Sequence, residues 1–340
     1  MNFGSIGGIA GLWVVIAAAV LCAVLIVLLQ PWLKRYALAR PNRRSSHREP
    51  TPQGGGIAVM AAAIVVITAA IVLAPSGGDP ARLAVVLAAA AGLAIVGVTD
   101  DIYALEVIPR LLLQAIAVGV VIAALPPELR IFHVMPWWIE RALLLLSGLW
   151  FVNLVNFMDG IDWMTVAETV PVSAGLVLAG LMGALPSDAT VAALALGGAM
   201  LGFAPFNRPV AKLFLGDVGS LPIGLLLGWL LVLLAGGGHI AAALLLPLYY
   251  LADATVTMLR RLAKGEQVLR AHRSHFYQRA MDAGFPVYGI IARVFAVNAA
   301  LVALAMLTLS RPVMWLHIGA LIAGAALVGA LLWSFSRSKH

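Results

Sequence analysis

Apolar segments long enough to cross a bilayer recur along the whole chain, and this feature restricts the possible folds more than any other. Lipid offers no partner to an unpaired backbone amide, so a chain that is 62% hydrophobic and 11% charged must satisfy its backbone within helices. We predict an all-α polytopic membrane protein with about eleven transmembrane helices. The predicted spans are 8–30, 55–74, 82–99, 108–125, 138–155, 166–185, 189–205, 219–236, 239–258, 287–309 and 314–334.

The distribution of lysine and arginine predicts the orientation of these helices. Seventeen of the 22 basic residues fall in loops on one side, four fall on the other, and Arg293 falls within a span. Cytoplasmic loops are enriched in such residues, so we expect the N-terminus outside and the C-terminus in the cytoplasm. The first basic residues, Lys34 and Arg35, follow the first apolar run, which predicts a retained helix and not a cleaved signal peptide. The bias also explains the net charge of +7 without nucleic acid as a partner.

Polar side chains collect at the predicted cytoplasmic ends of the helices. We expect one integral membrane domain, 1–340, in which loops 31–54, 100–107, 156–165, 206–218 and 259–286 form the active site. Acids at the C-terminal end of a helix face the negative end of its dipole, so a cation should offset them. A divalent metal and the basic loops are both candidates. Mg²⁺ fits best, because all the candidate ligands are oxygens.

Two adjacent acids, Asp100 and Asp101, end the third span. Neighbouring residues on a helix point about 100° apart, so one acid should act on substrate while the other supports it or reaches a second group. A solvated loop start is the alternative interpretation.

The stretch "NLVNFMDGID" places Asn153, Asn156, Asp159 and Asp162 three residues apart, on one slowly drifting face of the fifth span. A polar stripe inside a bundle normally lines a cavity. Hydrogen bonding between helices could explain the two amides but explains the two acids poorly. Gly160 is expected to end the helix and to let backbone approach a ligand.

Asp217, in "FLGDVGS", opens the eighth span. It is either the N-cap of that helix or part of an anion site that also binds metal. Asp253 lies within the ninth span, where an acid marks either function or a structural ion pair.

The segment "HRSHFYQR" carries His272 and His275, followed by Gln278 and Arg279. Histidine with arginine suits contact with phosphate, whereas the alternative is an interfacial loop facing anionic membrane lipids. The basic loop "RPNRRSSHREPTPQGGG" would offer phosphates both cations and free amides, or would simply set the topology.

These five clusters, in this order, resemble the polyprenyl-phosphate N-acetylhexosamine-1-phosphate transferases. The resemblance rests on 41–56, 100–101, 153–162, 214–220 and 272–279, and it covers nearly the whole chain. It implies transfer of a sugar 1-phosphate from a UDP-N-acetyl sugar to undecaprenyl phosphate, with release of UMP and with Mg²⁺ or Mn²⁺ as cofactor. It also implies a multi-pass protein of the bacterial inner membrane whose active site faces the cytoplasm. A homodimer is left open.

The resemblance also distributes roles among the candidate residues. It implies catalytic roles for Asp100, Asp101, Asp159, His272 and His275, and metal binding by Asp217 and Asp100. Substrate binding is expected of Asn153, Asn156, Gly160, Asp162, Phe214, Arg110, His47, Arg43, Gln278 and Arg279. Phe214 would approach the uracil. Many relatives carry a lysine shortly after the paired acids, and here Arg110 is the nearest cation.

The sequence of the histidine loop is closer to the branch that initiates surface polysaccharides such as O-antigen. The phospho-MurNAc-pentapeptide transferase of peptidoglycan synthesis is the alternative, but the resemblance to it is weaker, because that enzyme carries a His-rich triplet where this sequence has "HRSHFYQR". An ion-coupled transporter would place acids near the middle of the bilayer and paired halves along the chain. A CDP-alcohol phosphotransferase would need an Ala-Arg pair that "DGIDWM" lacks. The donor sugar and the pathway stay open.

Overall fold

A computed structural model describes residues 9–39, 50–73, 78–267 and 272–337. Within them the chain forms thirteen helices and one two-stranded antiparallel sheet. The helices are α1 (Ile9–Tyr36), α2 (Gly55–Leu73), α3 (Pro80–Tyr103), α4 (Val107–Ala123), α5 (Trp137–Met158), α6 (Met164–Leu181), α7 (Ser187–Phe203), α8 (Asp217–Gly236), α9 (Ile240–Leu245), α10 (Leu248–Ala263), α11 (Phe276–Asp282), α12 (Val287–Ser310) and α13 (Met314–Ser336). The strands are β1 (Leu38–Ala39) and β2 (Thr51–Pro52).

The helices confirm the all-α polytopic class. In the described part of the chain, eight are long and apolar enough to cross a membrane, and α4 and α7 are shorter apolar helices of 17 residues each. Ten of the predicted spans each coincide with one helix. The total of eleven crossings and the orientation of the termini stay predictions.

The ninth predicted span, 239–258, is wrong as a continuous helix. It is divided into α9 and α10, with Pro247 between them. Proline has no N–H to donate and crowds the preceding turn, so a break here is physically reasonable. Glu168 of α6 compensates for the break by accepting a hydrogen bond from the backbone of Tyr250, in the first turn of α10. Asn298 of α12 donates to the same carboxyl at 2.6 Å.

Helix α8 is the most deeply buried of the candidate spans and packs against α2, α3 and α5. Two glycines permit the close approach. A Cβ at Gly97 of α3 would overlap the backbone of Asp217, and one at Gly56 of α2 would overlap the backbone of Gly219. Because small residues let helix backbones meet, the first turn of α8 lies directly against the ends of two other helices.

Candidate active site

The N-terminus of α8 is capped by a carboxylate from another helix. Asp101 accepts the backbone N–H of Asp217 at 3.0 Å through Oδ1 and that of Val218 at 3.2 Å through Oδ2. The side-chain amide of Gln53 donates to the same Oδ1. The positive end of the α8 dipole therefore offsets an acid that the negative end of α3 alone would disfavour. Both oxygens of Asp101 are engaged in this cap, so it supports the first turn of α8, and its catalytic role stays a prediction.

Asp217 is the first residue of α8, and Gly216 occupies the N-cap position. The N-cap interpretation of Asp217 is therefore wrong, since the cap comes from Asp101. Freed from capping, the Asp217 side chain accepts a hydrogen bond from Nδ2 of Asn156 at 2.7 Å. Asn156 also donates to Oγ of Ser220 at 2.9 Å, so it ties α5 to the first turn of α8.

Asp100 faces Asp217 and is bound by Arg110 from α4. Nη1 of Arg110 lies 2.8 Å from Oδ2 of Asp100 and 3.9 Å from Oδ2 of Asp217. The other oxygen of Asp100 accepts the backbone N–H of Leu105 at 2.7 Å. The two carboxyls also lie within hydrogen-bonding reach of each other. Arg110, the nearest cation after the paired acids in the sequence, therefore supplies a positive charge beside Asp100 and Asp217.

These acids are suitable for a divalent metal that shares its coordination with substrate. Across the described ranges, no group of three or more His, Cys, Asp or Glu residues could hold a metal ion alone. Mg²⁺, however, is usually held by one or two carboxylates together with substrate phosphates. Asp100, Asp101 and Asp217 lie together with one arginine, so the cluster carries excess negative charge. The donor set fits Mg²⁺ on Asp217 and Asp100.

Asp159 follows the last residue of α5 and accepts a hydrogen bond from Oγ1 of Thr165. Burial raises the pKa of Asp159 to about 7, and the nearby charges of Asp101 and Asp162 act in the same direction. The hydrogen bond from Thr165 partly opposes this rise in pKa. An acid with such a pKa can hold or release a proton near neutral pH.

Gly160 lies on the exposed side of this turn, beside α11. A Cβ there would overlap the hydroxyl of Tyr277, which donates to the backbone carbonyl of Phe157 at 3.1 Å. Gln278 donates to the same hydroxyl at 3.1 Å. The expectation that glycine permits a close approach is therefore met, but the group that approaches is a tyrosine of this chain.

Asp162 makes different contacts from Asp159: it holds a loop of the fold in place. It is buried, and its Oδ2 accepts the backbone N–H of Ala211 at 3.0 Å. Asn207 supports the same loop, because its Oδ1 accepts from the backbone N–H of Trp163 and its Nδ2 donates to the carbonyl of Leu213. Asp162 thus fixes the segment that leads into Phe214 and Asp217, and its contact with substrate stays a prediction.

Phe214 is half-buried next to the loop that precedes α2. Its backbone N–H donates to the carbonyl of Pro52, and its own carbonyl accepts from Gly54 and Gly55. These backbone hydrogen bonds place Gln53 next to Asp101, to which its side-chain amide donates. Phe214 is therefore positioned at the same helix end as the acids, as its predicted role in the nucleotide pocket requires.

Asn153 lies deeper in the bundle than the other members of the period-three stripe. It is buried, and its Nδ2 donates to Oε1 of Gln114 in α4 at 2.7 Å and to the carbonyl of Leu149 at 2.8 Å. The alternative of hydrogen bonding between helices is thus realised at Asn153, whereas Asn156 reaches the acids.

An apolar cavity of about 250 Å³ lies between α4, α5 and α10. Its walls include Leu111, Leu146, Trp150 and Met258. Asn153 and the rings of His272 and His275 also line it. The lining of the cavity is therefore mostly apolar and includes two imidazole rings.

The histidine loop packs against this cavity. The rings of His272 and His275 stack with centroids 4.9 Å apart, and Nδ1 of His272 lies 2.8 Å from Oγ of Ser274. His275 is buried, whereas Arg279 on α11 is exposed. Gln278 receives the backbone N–H of His275 at its Oε1, 3.2 Å away, so it completes the first turn of α11.

Asp253 has a structural partner in this loop. Its carboxylate accepts the backbone N–H of Phe276 at 3.0 Å and that of Tyr277 at 3.3 Å. Asp253 is fully buried in α10. The sequence left two interpretations of Asp253, a function or a structural ion pair. The geometry favours local structural contacts, in which His275 and backbone amides take the place of an arginine.

Sequence reasoning missed Gln53, Thr165 and Tyr277 as contacts of the site. Gln53 stands within "PTPQGGG", Thr165 follows "NLVNFMDGID" by three residues, and Tyr277 stands within "HRSHFYQR". None of the three forms an unusual spacing of its own. Two predicted substrate contacts, Arg43 and His47, lie outside the described residues.

Comparison with known proteins finds similarity to one family over the middle part of the chain. The sequence profile of "Glycosyl transferase family 4" matches residues 83–235. This match covers a little under half of the chain. A similar protein is a probable undecaprenyl-phosphate N-acetylglucosaminyl 1-phosphate transferase of Bacillus subtilis, which is 24% identical over 87% of each chain.

Two other similar proteins match shorter parts of the chain. A decaprenyl-phosphate N-acetylglucosaminephosphotransferase of Mycolicibacterium smegmatis is 27% identical over 73% of this chain and 69% of its own. A phospho-N-acetylmuramoyl-pentapeptide-transferase of Limosilactobacillus fermentum is 38% identical, but over only 27% of this chain and 29% of its own. The family 4 profile spans α3 to α8 and so contains Asp100, Asp101, Asn156, Asp159 and Asp217.

Proposed function

We propose that this chain transfers an N-acetylhexosamine 1-phosphate from a UDP-sugar to undecaprenyl phosphate, with release of UMP. One observation carries the proposal: Asp100, Asp217 and Arg110 meet at the N-terminus of α8, in a membrane protein whose middle part matches the family 4 profile. Phosphoryl transfer depends mainly on positioning and charge neutralisation, and such a cluster can provide both. The named activities of the Bacillus and Mycolicibacterium relatives support N-acetylglucosamine as the sugar.

The apolar cavity supports a polyprenyl acceptor. A prenyl chain is apolar and can lie along Leu111, Leu146 and Met258, whereas its phosphate needs donors. The imidazoles of His272 and His275 line the same cavity. We place the phosphate end of the lipid toward these rings.

The nucleotide would lie at the turn after α5. Gly160 is exposed there, Asp159 can exchange a proton near neutral pH, and Phe214 lies at the neighbouring helix end. Asn156 holds Asp217 from the same turn of α5. The diphosphate of the donor would then span from this turn to the start of α8, where Arg110 lies beside Asp100 and Asp217.

In the reaction, an oxygen of the lipid phosphate forms a bond to the β-phosphorus of the UDP-sugar. The bond from that phosphorus to the bridging oxygen breaks, and UMP leaves with the bridging oxygen. Arg110 stabilises negative charge on the transferred group, and Asn156 keeps Asp217 oriented. Mg²⁺ or Mn²⁺, held by Asp217 and Asp100, would neutralise phosphate oxygens.

We further propose that the protein lies in the bacterial inner membrane with this site facing the cytoplasm. Nucleotide sugars are water-soluble, and the basic loops lie on the side where the acids cluster. Initiation of a surface polysaccharide such as O-antigen is the proposed pathway branch. Transfer of phospho-MurNAc-pentapeptide is the second candidate, because the Limosilactobacillus relative has the higher local identity.

The test is an assay of the purified protein in detergent with undecaprenyl phosphate and a panel of UDP-sugars that includes UDP-GlcNAc and UDP-MurNAc-pentapeptide. We expect UMP and a lipid diphosphate sugar, with activity lost on chelation and restored by Mg²⁺. Asp217→Ala should be inactive, whereas Asp79→Ala, at the other end of α3, should turn over normally. A folded protein that yields no UMP with any donor refutes the proposal. Wild-type turnover by Asp217→Ala refutes the metal site.

A further inference from the structure

Asp253 is a buried carboxylate on which five donors converge. Besides the amides of Phe276 and Tyr277, it accepts from the hydroxyls of Thr257 at 3.3 Å and Tyr249 at 3.4 Å. Its fifth partner is the ring of His275, whose Nδ1 lies 3.3 Å from Oδ1. A carboxylate buried without donors would be costly, and these bonds offset that cost for Asp253 inside the bundle.

This environment fixes the tautomer of His275. Asp253 accepts from the other four partners named above, so we assign the hydrogen to the ring nitrogen that faces it. Nδ1 is therefore the donor, and Nε2 on the opposite side of the ring is left for the cavity that His275 lines. Among the described residues, two further titratable side chains stack on this ring: His272, with centroids 4.9 Å apart, and Tyr277, with centroids 5.9 Å apart.

A second feature separates Asp253 from an ordinary helix cap. A cap needs only an acceptor for the free amides of the first turn, and Phe276 and Tyr277 supply these. Asp253 also holds the side chain of His275, which lines the apolar cavity together with Trp150 and Met258. The same acid thus sets both the backbone of the loop and the orientation of its imidazole.

We propose that Asp253 is a positioning residue for the transfer reaction, which holds His275 by Nδ1 so that Nε2 faces the phosphate end of the polyprenyl substrate. The inference rests on the proposed function, because it requires a polyprenyl phosphate in the cavity. Asp253 itself touches no substrate. Its contribution passes through His275, and the two residues therefore act as one unit.

A double-mutant cycle tests this unit. Asp253→Asn should lower kcat by about 10- to 100-fold, the usual cost of removing the partner that orients a ligating histidine. Asp253→Asn combined with His275→Ala should be no slower than His275→Ala alone, because residues that act through one another are not additive. The matched control is Thr257→Val, which removes a bond to the same Oδ1 without contact to the ring, and it should retain wild-type kcat. Additive losses, or a wild-type kcat in Asp253→Asn, would overturn the proposal.

Two measurements do not depend on turnover. The ¹⁵N spectrum of His275 at alkaline pH, where imidazole is neutral, should show hydrogen on Nδ1 in wild type and a mixture of tautomers in Asp253→Ala. Affinity for the UDP-sugar should be unchanged in Asp253→Asn, since the donor site lies at Asp159 and Asp217. An unchanged tautomer in Asp253→Ala overturns the positioning role. Absence of turnover in the wild-type protein would instead refute the proposed function, and the spectrum would still report on His275.

Discussion

Replacing Asp101 distinguishes a supporting acid from a catalytic one. Its two oxygens accept the first two backbone amides of α8 and the amide of Gln53. Asp101→Ala removes both acceptor oxygens and so leaves three partly buried donors without this partner. Asp101→Asn keeps one acceptor oxygen and places an NH₂ group against a backbone N–H.

The expected loss of stability follows from these bonds. Removing a helix cap costs about 0.5–2 kcal/mol, and a buried donor left without a partner costs about 1–3 kcal/mol. Because Asp101 serves two amides and a side chain, we expect Asp101→Ala to lose about 3 kcal/mol. Asp101→Asn should lose about half as much, since one acceptor oxygen is retained.

The assay compares unfolding in mixed detergent micelles with UMP release for each variant. The Asp101 variant that loses more stability should also lose more turnover, because the first turn of α8, which Asp101 caps, also carries Asp217. The matched control is Asp79→Ala, since Asp79 accepts the amides of Ala81 and Arg82 at the exposed start of α3. It should cost about 0.5–1 kcal/mol and leave turnover unchanged.

One result would refute this reasoning. If Asp101→Asn kept wild-type stability but lost activity completely, Asp101 would act on substrate directly, and the cap would contribute little.

Three further predictions concern the turn after α5. Asn156→Ala should lower kcat about 10-fold or more, because Asp217 loses its 2.7 Å hydrogen bond, and UMP release measures this. Without divalent metal, stability should fall as pH rises from about 4 to about 7, since the native state keeps the Asp159 proton longer than the unfolded chain does. Asp159→Asn should flatten that dependence in unfolding experiments. Gly160→Ala should raise KM for the UDP-sugar, because the new methyl displaces the Tyr277 hydroxyl.

Each of these has a contradicting outcome. Unchanged kcat in Asn156→Ala would mean that Asp217 is held by other contacts. An identical pH dependence in Asp159→Asn would assign the titration to another group. For Gly160→Ala, the double variant with Tyr277→Phe should recover part of the affinity, and no recovery would argue against the overlap.

Much of the fold could be predicted because membrane insertion leaves a strong signal in the sequence. Ten of the eleven predicted spans coincide with single helices, since apolar length alone identifies them. The break at Pro247 was missed because composition is apolar on both sides of it. What stabilises the break is Glu168, about 80 residues earlier in the chain, and no local pattern reveals that contact.

The sequence by itself determined the class of the fold, the acids and histidines of the site, and the family to which they point. Residue type and local spacing suffice for these. Only the tertiary structure decided what each acid does. Asp101 caps α8, Asp162 fixes a loop and Asp253 holds His275, whereas Asp100 and Asp217 face one another beside Arg110. The physical reason is that a carboxylate's role depends on its donors, and here the donors come from helices far apart in the chain.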